Sequence, residues 1–422
     1  MISKWLLGDQ EKAHRNGTIW NTIASAEYSF QSAILLLVVT RIGGLTEAGI
    51  FTITYTIAQM MATIGSYDMR DYQSSDIKRF YRFPVYWTSR MVTILIMLIV
   101  CIGYAVISKY TGQKLLLITS FSLYRAVDNI EDVLQGEMQR SFRLDVAARI
   151  MTVRIFLATL AFVVGYAATR SLLLSAGVLT LTALLVEIVL SALVVNAFGE
   201  IRLKWETKGV GKLLFTCFPL CAGGFLYNYL ATASKYAIDR NMQEESQTIF
   251  GILFMPNFVI NMLSMFAYKP MIAGMGQMWS DSDKGRKRFF SVVIKLSTVI
   301  IGITGIVAVG GYTIGLDLLG FIYGVSLDEY RSLLAVLLLF GGVAAMDSFF
   351  VLILTIMRRQ KLVIVAYAIA ASLNLVLADR LVEKYRLWGA GLLYGITMGL
   401  VMIILLVFIL MSVKKYAEHI LG

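Results

Sequence analysis

Charge is scarce in this sequence: 15% of its 422 residues are charged, against roughly a quarter in a soluble domain. A chain of this length with so little charge cannot cover the outside of two or three soluble domains. Histidine is scarcer still, with His14 and His419 the only two. There is no HExxH, no P-loop GxxxxGK[ST], no GxSxG and no Cys/His cluster. An ATP-driven pump and a histidine-dependent membrane acyltransferase are left without their chemistry, and no catalytic residue, metal or cofactor is expected. Cys101, Cys217 and Cys221 all fall inside apolar runs, where small apolar packing is the expected role and a disulfide framework is not. The short alternating segments of a transmembrane barrel are missing. A cleavable leader is not evident either. Met1 to Asn16 is polar, and the first apolar run is too long for a signal core and lacks a small-residue cleavage pattern. The first helix is therefore expected to stay in the mature protein.

Apolar residues make up 58% of the chain, and the mean hydropathy is +0.73. Nearly uncharged stretches of about 20 residues recur along it, each long enough to cross about 30 Å of hydrocarbon. Helices satisfy their backbone hydrogen bonds internally, so the reading is an all-α membrane protein with about twelve spans. They lie near 17–40, 45–67, 86–108, 114–135, 145–167, 171–195, 212–238, 247–268, 289–312, 331–357, 361–378 and 388–412.

With both termini cytoplasmic, about 25 of the 38 lysines and arginines fall on the cytoplasmic side and about 10 on the other. Twelve spans and inside termini thus agree, and much of the net charge of +11 is an orientation signal. Lys284-Gly-Arg-Lys-Arg288 reads as an orientation determinant, and no nucleic-acid partner is expected.

The basic segment from Glu200 to Gly211 divides the chain into two six-helix lobes, 1–207 and 208–422. Sliding one half over the other by about 199 positions places Tyr28 on Tyr227, Arg41 on Arg240, Ile50-Phe51 on Ile249-Phe250, and Arg70 on Lys269. Six helices per half make a parallel repeat, and transporters built this way bind substrate between halves that rock against each other.

Ionisable residues within spans are expensive and call for a function. Arg125, Asp128, Glu131 and Asp132 on helix four stand at i, i+3, i+6 and i+7, close to one face. They read either as a paired structural network or as a cation for an anionic head group beside titratable carboxylates. Helix seven is polar, with Tyr227, Asn228, Tyr229, Thr232, Ser234 and Lys235 leading to Asp239 and Arg240. Lys235 and Asp239, at i and i+4, either neutralise each other or leave Lys235 to meet phosphate. Glu27, Arg154, Glu187 and Asp347 are further inward candidates, whereas Lys295 lies near enough to a helix end to snorkel. Pro219 with Gly223 and Gly224, and Pro256, read as hinges, and Asn257 and Asn261 as interhelical bonds. The expected head-group ligands are Arg125, Lys235, Arg240, Arg154, Arg41 and Arg70, with Tyr227 and Asn228. The expected ion-coupling residues are Glu27, Asp128, Glu131 and Asp347.

The stretch Gly49-Ile-Phe-Thr-Ile-Thr-Tyr-Thr-Ile-Ala-Gln59, continuing through Ala62-Thr-Ile-Gly-Ser-Tyr-Asp-Met-Arg70-Asp-Tyr-Gln73, resembles the helix-two region of O-antigen and capsule repeat-unit flippases. So does Ser234-Lys-Tyr-Ala-Ile-Asp239 followed by Ile249-Phe-Gly-Ile-Leu-Phe-Met-Pro256. These words are similar to Wzx-type polysaccharide exporters of the multidrug/oligosaccharidyl-lipid/polysaccharide superfamily. The resemblance implies two six-helix lobes around a cationic central cavity that opens alternately to each side of a bacterial inner membrane. It implies an undecaprenyl-diphosphate-linked oligosaccharide as substrate and a counter-ion, proton or sodium. Membrane lipids and polysaccharide-assembly proteins are the other implied partners. The alternatives are a drug or small-molecule exporter of the same superfamily, favoured by a carboxylate-rich cavity, and a polymerase-type membrane enzyme, whose large outer loop is missing here.

Overall fold

A computed structural model describes residues 2–76, 78–199, 201–280 and 283–421. Glu200, the first residue of the expected linker, and the side chains of Lys414, Lys415 and His419 lie outside the described residues. Fifteen α-helices follow one another, with no strand among the described residues. They are α1 Ile2–Leu7, α2 Ala13–Ser66, α3 Met69–Ser75, α4 Phe83–Ile107, α5 Gly112–Arg140, α6 Leu144–Thr169, α7 Leu172–Val195 and α8 Val210–Asn241, then α9 Glu244–Phe254, α10 Pro256–Tyr268, α11 Ile272–Ser280, α12 Asp283–Gly310, α13 Leu316–Tyr323, α14 Arg331–Ile356 and α15 Lys361–Leu421.

Nine helical stretches among the described residues are long and apolar enough to cross a membrane. Two of the nine are double. Gly44, at φ 82° and ψ −176°, breaks α2, and Arg386, at φ 53° and ψ −132°, breaks α15. Each break is a reversal. Tyr55 Oη reaches Gln31 Oε1, 24 residues away, at 3.3 Å, and Asn374 Nδ2 reaches Thr397 Oγ1, 23 residues away, at 3.0 Å. On a straight helix such pairs would stand roughly 35 Å apart. The two reversals bring the helices to eleven. The twelfth is α5, long enough to span but too charged to count by hydropathy. The twelve expected spans are all present, and the chain is an all-α, multi-pass membrane protein.

Gly44 is the position where glycine's freedom is required, because its conformation is open essentially to glycine alone. A Cβ there would meet nothing within 4 Å, so the cost of adding one is purely torsional. Gly44→Ala should destabilise the folded protein by about 1–3 kcal/mol. Gly103→Ala, in equally open space but inside helix α4, should not destabilise it. Thermal unfolding of the two variants in one detergent checks this.

The chain divides into two compact units, Met1–Phe225 and Leu226–Gly422. The division falls inside α8, beyond the 207/208 boundary expected from the polar segment. The reason is packing. Leu213 and Cys217 of α8 belong to the apolar core that contains Met69, Tyr81, Tyr86, Val133 and Val194. Cys221 Sγ approaches the carbonyl of Thr63, and a Cβ on Gly224 would stand 2.3 Å from an Asp68 oxygen. The first turns of α8 are thus built into the N-terminal unit.

The surface pattern is inverted relative to a soluble protein. Leu95, Ile99, Leu181, Leu185 and Phe215 are exposed, whereas Arg90, Arg125, Arg154 and Asp347 are buried. Apolar side chains outside and ion pairs inside are what a hydrocarbon solvent selects.

Candidate functional site

In the N-terminal unit the charges of α5 meet charges from three other helices. Arg125 Nη1 stands 2.6 Å from Asp128 Oδ2, one turn along the same helix. Asp128 Oδ1 in turn lies 2.8 Å from Arg154 Nη1 of α6. The other amino group of Arg154 holds Glu131 Oε2 at 2.5 Å, and its Nε lies 4.0 Å from Glu187 Oε2 of α7. Arg125 is also enclosed by aromatic faces. Its guanidinium carbon is 4.7 Å from the ring centre of Tyr55, 5.3 Å from Tyr124 and 5.6 Å from Tyr28. A cation on ring faces in a water-poor site gains on the order of 2 kcal/mol. Gln31 orders two of those rings, since Tyr124 Oη donates to its Oε1 at 2.9 Å and Tyr55 Oη at 3.3 Å.

A second group lies one turn further along α5. Asp132 accepts from Arg90 Nη2 at 2.6 Å and has Arg70 Nη1 at 3.6 Å. Fully buried Arg90 also donates to the carbonyl of Gly65 at 2.7 Å, and half-buried Arg70 donates to Gln139 at 3.3 Å. Gly65 permits this closeness, because a Cβ there would stand 2.2 Å from the Asn129 amide nitrogen. Glu27 stands apart from both groups, half-buried on α2, with one buried oxygen lacking a hydrogen-bond partner. Arg41 is exposed.

In the C-terminal unit the ion pairs lie at the surface, and Lys235 and Asp347, set deeper, have none among the described residues. Lys235 on α8 is half-buried, and its ammonium lies 5.9 Å from the ring centre of Phe254. No carboxylate among the described residues is within ion-pair distance of Lys235, Asp239 included. Asp347 on α14 is 1% exposed, and neither of its oxygens has a hydrogen-bond partner. The hydroxyls of Tyr227, Tyr367 and Tyr394 lie within electrostatic reach of its carboxyl. The Tyr227 and Tyr367 rings stand 5.8 Å apart, and Tyr227 is hydrogen-bonded to Ser348. The Tyr394 ring stands 4.9 Å from that of Phe254, the ring beside Lys235. Asn228 is half-buried one residue past Tyr227. Arg240 stands at the unit's surface and pairs with Asp379 at 2.8 Å. Lys295 is exposed, as snorkelling requires.

The structure therefore sorts the six cations expected to meet a head group. Arg125 and Arg154 are engaged by carboxylates inside the N-terminal unit, Arg70 shares Asp132 with Arg90, Arg240 holds Asp379, and Arg41 is exposed. Lys235 is the half-buried one without an ion pair. Sequence reasoning counted Arg90 only as a cytoplasmic-side charge at the start of the 86–108 span, and it missed the cage of Tyr28, Tyr55 and Tyr124. The start of α4 at Phe83, with Pro84 at its first turn, is the local signal that places Arg90 inside a helix. The cage has no such signal, because its rings come from three distant points in the chain.

No protein-family model and no curated protein matches the sequence. Solved structures match along nearly its whole length. Lipid II flippase MurJ, in an inward closed conformation, superposes with a TM-score of 0.71 at 11% identity, covering 94% of this chain and 87% of that one. An inward-facing multidrug resistance MATE family transporter of the MOP superfamily gives 0.64 at 12% identity, over 92% of this chain and 95% of that one. A MOP superfamily transporter from Pyrococcus furiosus gives 0.55 at 12% identity, over 98% of both chains. At such identities the likeness is one of fold, and the chain has the fold of the MOP superfamily transporters.

Proposed function

We propose that the protein is a flippase that carries an undecaprenyl-diphosphate-linked oligosaccharide from the cytoplasmic to the outer leaflet by alternating access, driven by a proton or sodium gradient. Lys235 carries this reading. A cation kept within a span without a carboxylate is costly, and a substrate diphosphate repays that cost each time it binds. Asp347 has the complementary chemistry, a buried carboxylate free to take up the coupling cation, and Glu27 is its counterpart in the N-terminal unit. One structural neighbour is itself a lipid flippase. The same reading places the protein in a bacterial inner membrane with both termini cytoplasmic, beside the enzymes of polysaccharide assembly.

A second reading, export of cationic drugs, is favoured by Asp347 and by the multidrug transporters among the neighbours. Binding to purified protein separates the two. A short-chain prenyl diphosphate should bind the wild type, and Lys235→Gln should weaken it about tenfold or more, since a charge-assisted bond contributes roughly 1.5–3 kcal/mol. Binding of a lipophilic cation dependent on Asp347, with none of the diphosphate, would replace the flippase reading by the exporter one.

A further inference from the structure

The charges of the cluster around Arg154 do not balance. Arg125 and Arg154 supply two positive charges, and Asp128, Glu131 and Glu187 supply three negative ones, all linked at 2.5–4.0 Å. Arg125, Arg154, Glu131 and Glu187 are each at most 3% exposed. Glu187 is the member with the weakest claim on a cation. Arg154 holds Asp128 at 2.8 Å and Glu131 at 2.5 Å but Glu187 at 4.0 Å, and Glu187 Oε2 is buried with no hydrogen-bond partner. Its other oxygen accepts from Ser191 Oγ at 2.6 Å. An excess negative charge so far from water is strongly disfavoured unless a proton neutralises it.

We propose that this cluster binds one proton, held on Glu187, and that the proton decides how Arg154 is shared between α5 and α7. The groups acting on Glu187 are Arg154 from α6 and Asp128 and Glu131 from α5. Tyr124 of α5 lies over Arg154 at 5.9 Å, and Arg70, which acts on Glu131 from α3, is held by Asp132. With the proton in place Arg154 belongs to α5. When the carboxyl gives its proton to water, the new carboxylate competes for Arg154 and draws it toward α7. Asp128 is then left to Arg125 alone, so a protonation on α7 is felt at the tyrosine cage two helices away. The inference is one about this cluster's charge balance and stands independently of the flippase reading.

Infrared spectra of the purified protein at neutral pH test it. The C=O stretch of a protonated carboxyl should be present and should shift when all glutamates are 13C-labelled. In Glu187→Gln it should lose one carboxyl's intensity, with the fold intact, because an amide reproduces a neutral carboxyl in shape and charge. The double variant Glu131→Gln with Glu187→Gln should fold worse than Glu187→Gln alone, since a single carboxylate would then face two arginines. Undiminished intensity in Glu187→Gln, no shift on labelling, or failure of Glu187→Gln to fold would each overturn the proposal.

Discussion

Replacing Arg154 by methionine should leave almost no folded protein in the membrane. This one side chain touches carboxylates on two helices and is itself carried by a third, so α5, α6 and α7 are joined through it. Methionine fills much of the space but takes from Glu131 its ion-pair partner and from Glu187 its nearest cation, and leaves Asp128 with Arg125 only. Breaking a buried pair by removing one partner costs on the order of 3–5 kcal/mol in soluble proteins, a large share of the 5–15 kcal/mol that a domain has in total. Adding Glu131→Gln and Glu187→Gln to the same chain should restore folding, because Arg125 and Asp128 then balance alone. Size-exclusion profiles of detergent extracts, normalised to total expressed protein, report both outcomes. Normal folding of Arg154→Met by itself would show that the cluster does not hold the unit together.

Reversing the charge at Lys235 should do the opposite: leave folding intact and abolish export. Lys235→Glu breaks no ion pair, since Lys235 has none, and its neighbour Phe254 is aromatic. The variant places a carboxylate where the diphosphate is proposed to bind, and like charges brought together cost several kcal/mol, about a hundredfold or more in transport. Lys235→Arg should retain most export if the contact is a point charge, and lose much of it if the ammonium's compact shape matters. Surface polysaccharide measured against membrane-inserted protein separates loss of transport from loss of protein. Export by Lys235→Glu at the wild-type level would remove Lys235 from the substrate path.

The helices were legible in the sequence because a span is a local property, some 20 residues of low charge. The reversals at Gly44 and Arg386 fall in the gaps expected between spans one and two and between eleven and twelve. Even α5 was read as a span, although its charges hide it from hydropathy alone. Pairing was legible only where it follows helical spacing. Arg125 and Asp128 are three residues apart and do bond. Lys235 and Asp239 have an equally suggestive spacing and do not, because the lysine lies against Phe254, a residue of another helix. The partners of Arg154 lie 23 or more residues away on other helices. No periodicity within one segment could have announced them. Arg90, Arg140 and Arg149 show the same limit: each entered the sequence reading only as a cytoplasmic-side charge, and each is buried and bonded to backbone carbonyls. The positive-inside pattern records which end of a helix such residues occupy and is silent on whether they face water.

Transport of a lipid-linked oligosaccharide is the central claim, and flipping in vesicles tests it most directly. Purified protein is placed in liposomes with an undecaprenyl-diphosphate-linked oligosaccharide in the inner leaflet, and a glycosidase outside reports each sugar that emerges. Sugar should appear outside with wild-type protein, faster under an imposed proton or sodium gradient, and not with Lys235→Glu. Emergence no faster than in protein-free liposomes, with the protein folded and the gradient in place, would contradict the account.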